Sequence, residues 1–196
     1  KIKAAAGDVL ATVVSDVAGT AFFLASFHGD TNGLATVGVT DAVVAVHSKA
    51  VVDARAAGRS APRLVFGLDA NTYEFATPGK TQGVMAYARS FAGHGLTSCW
   101  GGPESGGVTP SEHTTFNART YLQPQLNKAA RRAEIKAKGD VNPKDFVLFD
   151  PTQWTSTRCA KDNTGEGPGR FVEEMVFPTL AFPSDHGVLS AHLTEV

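Results

Sequence analysis

Three short apolar runs in this chain border polar residues of the kinds that do chemistry, and this restricts the fold more than any other feature. Residues 21–27 end at His28, residues 63–68 end at Asp69 with Asn71 two further on, and Asp185-His186 leads into the run at 188–193. Short runs bounded by turn residues read as strands, and loops at strand ends are where α/β proteins place ligand sites. Residues 9–17 give a further strand, joined to the run at 21–27 by an Asp-Val-Ala-Gly turn at 16–19. Because residues 21–27 are apolar almost throughout, that strand is expected to be covered on both faces.

Between the strands the pattern turns helical. Thr40 can cap a helix over residues 41–55, with Val43, Val46 or His47, Ala50, Val51 and Ala54 on its buried stripe and Gly58 and Pro62 beyond its end. A second helix over 82–92 puts Val84, Tyr87, Ala88 and Phe91 on one face, with Gly93 as its C-terminal cap. Further strands are expected at 96–100, 145–149 and 171–177. The order strand, strand, helix, strand, helix, then strands predicts a layered α/β fold. The expected organisation is a single domain over 1–196, interrupted by an irregular basic excursion at about 101–143, in which 126–138 reads as a basic helical stretch.

The bulk properties narrow the function classes. Eighteen basic against 19 acidic residues give a net charge of -1, so no global field announces nucleic acid. No apolar run reaches the roughly 18 residues that span a membrane. Two cysteines, Cys99 and Cys159, are too few for a disulfide framework, and unpaired thiols in a soluble intracellular protein are the expectation. The chain begins at Lys1, which reads as a processed or trimmed start.

The polar residues suggest a phosphate–metal chemistry. Asp69 and Asn71 are two apart, so in extended backbone they face the same way. A carboxylate can hold a hard divalent cation, while the neutral amide donates to an oxygen without adding negative charge. Asp185 and His186 are adjacent and face opposite ways, so one could meet a metal while the other reaches substrate. A carboxylate near the histidine would hold its tautomer and raise its basicity.

Four segments carry a family resemblance. Phe-Leu-Ala-Ser-Phe-His at 23–28, Leu-Val-Phe-Gly-Leu-Asp-Ala-Asn at 64–71, Lys-Asp-Phe-Val-Leu-Phe at 144–149 and Phe-Pro-Ser-Asp-His-Gly-Val-Leu at 182–189 occur in that order. Together they resemble the motif strands of the endonuclease/exonuclease/phosphatase (deoxyribonuclease-I-like) superfamily, with Leu68 inserted between the Gly and Asp of the second. The resemblance implies a layered α/β sandwich of which this chain supplies roughly the second half, and a phosphoesterase that uses activated water. It implies that His28 contacts the scissile phosphate as donor or general acid, and that Asp69 and Asn71 position the water and stabilise the transition state. Asp185 would bind Mg²⁺ or Mn²⁺, and His186, oriented by Asp145, would be general base or phosphate ligand. The substrate would be a nucleic acid or a phosphoinositide-like headgroup, with Arg119, Lys128 and Arg131 as candidate contacts.

The family's early Asn strand and metal-binding Glu have no counterpart before Ala21. The expectation is therefore that a missing N-terminal half, or a partner chain, completes the site. The alternative is a catalytically incomplete half-domain acting as a structural or interaction subunit. Pro78-Gly79-Lys80-Thr81 copies the end of a phosphate-binding loop, but Glu74 stands where that pattern needs its first glycine. The other histidines, His47, His94, His113 and His192, do not make a metal-ligand spacing.

Overall fold

The computed structural model describes residues 4, 7–102, 113–116, 140–167, 169–173, 175 and 177–196. The basic stretch at 126–138, with Arg119, Lys128 and Arg131, lies outside the described residues. The elements are β1 (Val9–Ser15), β2 (Ala21–His28), α1 (Thr36–Ala56), β3 (Arg63–Asp69), α2 (Val84–Gly93), β4 (Thr97–Ser98), β5 (Asp145–Phe149), β6 (Trp154–Asp162) and β7 (Val188–Glu195). Five strands form a mixed sheet in the order β1-β2-β3-β5-β4, and β6-β7 form a second, antiparallel sheet.

The β2–β3 pair is parallel, with α1 as its crossover, whereas β1 and β5 flank it antiparallel. Side chains alternate across the first sheet. Phe23, Phe27, Leu64, Phe66, Leu68, Phe146 and Leu148 point to the helical side and pack with Val39, Val43, Tyr87 and Phe91. Burying each of these large side chains contributes about 1.5–3 kcal/mol. A hydroxyl pair in the core is satisfied internally, since Tyr87 Oη lies 3.0 Å from Thr40 Oγ1. The α/β layering expected from the sequence is present.

The other face of the first sheet meets β6-β7. Phe22 stacks on Trp154 with ring centroids 6.0 Å apart, the Arg63 guanidinium lies 5.4 Å from the Trp154 ring, and Arg63 pairs with Glu195. This cover is incomplete. Leu24 on β2 is 40% exposed, and β1 is exposed along its whole length. The expectation that β2 is covered on both faces is thus corrected: its burial alternates, and the apolar residues on its second face lie at an open margin.

Local differences from the sequence reading have physical causes. Helix α1 starts at Thr36, because Asp30 Oδ1 accepts from Ala35 N at 2.9 Å and Gly33, at φ +66°, turns the chain into it. Thr40 is not a cap; its hydroxyl donates back to Thr36 O inside the helix at 2.9 Å. Helix α2 starts at Val84 rather than 82, and the strand expected at 96–100 shrinks to the two residues of β4. The strand expected at 171–177 is absent from the described residues there. Asn163 instead holds Val172 through both its N–H and its carbonyl, at 2.8 and 3.0 Å, while Phe171, Phe177 and Phe182 meet edge to face. Strand β6 gave no sequence signal, because Trp-Thr-Ser-Thr-Arg-Cys-Ala-Lys-Asp has no apolar alternation. Among the described residues no helix is long and apolar enough to cross a membrane.

Candidate functional site

The register of the first sheet sets three site residues in one row. His28 on β2 pairs with Asp69 on β3, and Asp69 pairs with Asp145 on β5. All three lie on the face opposite the helices, at the end of the sheet where the parallel strands β2 and β3 finish. His186, on the turn that enters β7, comes down onto this row from the second sheet. Its Nδ1 lies 2.9 Å from Asp145 Oδ2, and its Nε2 lies 3.9 Å from Asp69 Oδ2. His28 Nε2 is 3.8 Å from the same Asp69 oxygen. One carboxylate oxygen is therefore flanked by an imidazole from each end of the chain.

Asn71 completes the centre in a way that alternation does not predict. Its backbone is left-handed, with φ 47°, a conformation asparagine tolerates better than most residues. The bend brings Asn71 N to Asp69 Oδ1 at 2.8 Å and Asn71 Nδ2 to Asp69 Oδ2 at 2.9 Å. The second amide proton goes to Gly29 O at 3.0 Å. Asn71 therefore acts on Asp69 and on the β2 loop, and both protons of its amide are engaged within the protein.

The loop at 69–71 is held from several sides. Thr36 Oγ1 at the start of α1 donates to Ala70 O at 2.7 Å, Ala70 N donates to Lys144 O at 2.7 Å, and Gly29 N donates to Asp69 O at 2.8 Å. Sequence reasoning missed three residues here. Lys144, treated only as part of a strand motif, is buried against Asn71, Asp140 and the ring of Tyr73. Thr114, in a segment with no periodic signal, accepts at Oγ1 from Lys144 N and Asp145 N at 3.1 and 3.2 Å, and its carbonyl accepts from Gly187 N at 2.7 Å. It thereby ties the Asp145 end of β5 to the residue after His186. Tyr73 anchors the cavity wall through its hydroxyl, which donates to Thr31 O at 2.7 Å. No motif assigns a role to Lys144, Thr114 or Tyr73; their roles emerge from contacts made across 30 to 73 residues of sequence.

Thr114→Val is expected to leave two buried N–H groups without an acceptor. It should cost about 1–3 kcal/mol, while Thr114→Ser recovers most of the loss; urea unfolding checks both.

A cavity of about 850 Å³ opens over the row, lined among others by His28, Asp69, Asn71, Lys144, Asp185 and His186. Behind it a smaller space of about 330 Å³ lies between the sheets, bordered by Ser26, Gly67, Val147 and Val188. The five central site residues expected from the sequence, together with Asp185, are brought together. Arg119, Lys128 and Arg131 lie outside the described residues.

The electrostatics separate the two principal titrating groups. Burial pushes Asp69 up, and Asp145 adds to this against the opposing charge of His186, so its pKa stands at about 6. Burial works against a charged His186, but the hydrogen bond and charge of Asp145, with Asp69 and Asp185 behind, outweigh it and raise His186 to about 9. At neutral pH the ring is then an imidazolium that carries a proton on both nitrogens and donates from Nδ1 to Asp145, while Asp69 is a carboxylate close to its titration point. Environments that push two groups apart in this way separate a proton acceptor from a donor. Asp69, Asp145 and His186 also present ligand atoms within 4.8 Å of one another, a cluster able to hold a cation once His186 has given up its proton.

Comparison with known proteins supplies the frame. No family model and no curated protein matches the sequence. Among solved structures the chain is similar to zebrafish TDP2 complexed with single-strand DNA product, at 12% identity and a TM-score of 0.52, over 95% of this chain and 61% of that one. It is also similar to the human Nocturnin catalytic domain with bound sulfate, at 14% identity and a TM-score of 0.49, over 96% of this chain and 52% of that one. A protein from Beutenbergia cavernae described as endonuclease/exonuclease/phosphatase follows, at 15% identity and a TM-score of 0.48, over 95% and 39%. The chain spans about half the length of the structures it matches.

Proposed function

We propose that this chain, which has the endonuclease/exonuclease/phosphatase fold in part, carries the catalytic centre of a phosphoesterase that cleaves a phosphate ester with water. The observation that carries the reading is the row His28–Asp69–Asp145 with His186 closing on it beneath one open cavity. A phosphate placed there meets two imidazoles from opposite sides of one carboxylate, an arrangement suited to an anionic, oxygen-rich transition state.

In the proposed mechanism Asp69 Oδ2 takes a proton from the attacking water as its oxygen bonds to phosphorus. His186, oriented by Asp145 through Nδ1, donates from Nε2 to a phosphate oxygen on which charge develops. His28 supplies the proton to the leaving oxygen as the P–O bond breaks. Asn71 holds Asp69 by two hydrogen bonds and keeps its attacking face in place.

The residues present fit a divalent ion in part. Carboxylates are the hard oxygen donors that Mg²⁺ and Mn²⁺ prefer, and the cavity has room for an ion that retains waters. Asp185, with Asp69, would hold it, because Asp145 is engaged with His186. Such an ion, when bound, would neutralise charge on the phosphate oxygens. Single-stranded DNA, the product named in the zebrafish structure, is the first substrate to test, and a phospho-headgroup the second. Arg119, Lys128 and Arg131 stay proposed contacts for either.

The test is release of nitrophenol from bis(p-nitrophenyl) phosphate and cleavage of a labelled single-stranded oligonucleotide, each with Mg²⁺, Mn²⁺ or a chelator. Turnover that Asp69→Asn lowers by roughly 10²-fold or more, as expected for loss of a general base, supports the reading. Turnover indifferent to Asp69, or none with any substrate and ion, sinks it. A second reading, a half-domain that serves a complex, is favoured by the exposed length of β1 and by Leu24. Native mass measurement separates the two: a stable hetero-assembly without turnover supports the second.

A further inference from the structure

Lys144 has 2% of its surface exposed, although it borders the site cavity. A lysine is seldom buried to this extent unless its N–H groups find acceptors. Here Nζ donates to Asn71 Oδ1 at 2.9 Å, lies 3.3 Å from Asp140 Oδ2, and sits 4.7 Å from the centroid of the Tyr73 ring. An amide oxygen, a carboxylate and a ring face surround the ammonium, and at 2% exposure it presents little of itself to a substrate oxygen. Lys144 therefore works on Asn71 rather than on a phosphate.

Its effect on Asn71 is directional. The two ends of a side-chain amide are nearly the same shape, and only their hydrogen-bond partners distinguish them. Turned by half a revolution, the Asn71 carbonyl would face Gly29 O and the Asp69 carboxylate, oxygen against oxygen. The amide nitrogen would at the same time face an ammonium, donor against donor. An ammonium has no acceptor lone pair, so Lys144 admits one orientation alone. In that orientation Nδ2 donates to Asp69 Oδ2, the oxygen that faces both His28 and His186.

We propose that Lys144 is a positioning residue of the phosphoester site: it fixes the sense of the Asn71 amide and, through it, the aim of the Asp69 carboxylate. Asp140, which Asn142 Nδ2 also supports, is the counter-charge that lets the ammonium stay buried. The inference rests on the phosphoester reading and adds to it a residue whose role no motif announces.

Two measurements test it. In the unsubstituted protein, nitrogen-15 NMR should show one slowly exchanging pair of Asn71 side-chain amide protons and a slowly exchanging Lys144 ammonium. The variant is the double substitution Asp140→Asn with Lys144→Met, since Lys144→Met alone would strand a buried carboxylate and could unfold the chain. In the double variant the Asn71 amide protons should exchange at least tenfold faster. Turnover of bis(p-nitrophenyl) phosphate should fall in kcat by about 10- to 100-fold, the usual effect of removing an orienting partner, with KM within twofold. A folded double variant with parental Asn71 exchange and parental kcat overturns the proposal. So does a rapidly exchanging Lys144 ammonium in the parent, which needs no variant to observe. A parent chain without turnover counts against the phosphoester reading alone, and the amide and ammonium exchange rates then decide the role of Lys144.

Discussion

Replacing His186 with glutamine is expected to lower kcat for phosphodiester cleavage by about 10²- to 10⁴-fold, the range typical of a positioned proton-transfer or donor group. The ring reaches the row on the first sheet from the turn that enters β7, and it is aimed by a 2.9 Å contact with Asp145. Glutamine keeps a donor but loses the cation and the rigid plane. Steady-state kinetics should show the loss mainly in kcat, and a variant within threefold of the parent would remove His186 from the mechanism.

The same substitution has a signature in stability that needs no substrate. His186 is raised from an ordinary 6.5 to about 9, so between those values the folded protein holds the proton more tightly than the unfolded chain does. Its contribution is complete below pH 6.5 and is lost as pH rises through 9. Asp69, raised from 3.8 to about 6, acts in the same direction lower down: its contribution is complete below pH 3.8 and is lost as pH rises through 6. In metal-free buffer the parent should lose roughly 2–3 kcal/mol between pH 6.5 and 9 from His186. His186→Gln should flatten that limb and, by removing the charge that holds Asp69 down, carry the lower limb to higher pH, as urea titrations at stepped pH would show.

Gly33→Ala should be strongly damaging although it removes no side chain. Gly33 has φ +66°, and a Cβ there would lie 2.6 Å from Asn71 O and 2.8 Å from Ala70 O. Both are backbone atoms of the loop that aims Asp69, so neither can swing aside. Strain from the backbone angle and from overpacking together should cost about 3 kcal/mol, with turnover falling because the loop must shift. Gly58→Ala is the control. Its φ is +65°, but nothing stands within 4 Å of the added carbon, so it should cost only about 1 kcal/mol. If the two variants unfold at the same urea concentration, close approach at Gly33 is not what holds the loop.

Much of this arrangement was legible because two signals coincide. The apolar runs that become β2, β3 and β5 each border a polar residue of the site, so strand ends and chemistry could be read together. His28, Asp69, Asn71, Asp185 and His186 were accordingly visible from the sequence, and Asp145 through the family resemblance. What was hidden has long-range causes. Lys144 looks like an exposed strand-end cation until Asn71 and Asp140 are brought to it. Thr114 is one threonine among several until its hydroxyl is seen to hold the start of β5. Strand β6 has no apolar alternation and is paired along its length with β7. The segment at 171–177 has the apolar content of a strand, but the Asn163 side chain takes both backbone groups of Val172, and Phe171 and Phe177 meet edge to face.

Because His28, Asp69 and Asp145 occupy a single rung of the first sheet, assembly and competence are the same event. Were β2 to slip by one residue against β3, Phe27 or Gly29 would stand on that rung and the imidazole would turn toward the helices. A chain folded with that error would bury the wrong face of β2 and lose its reactive centre together, so a misassembled molecule could not persist as a sluggish catalyst.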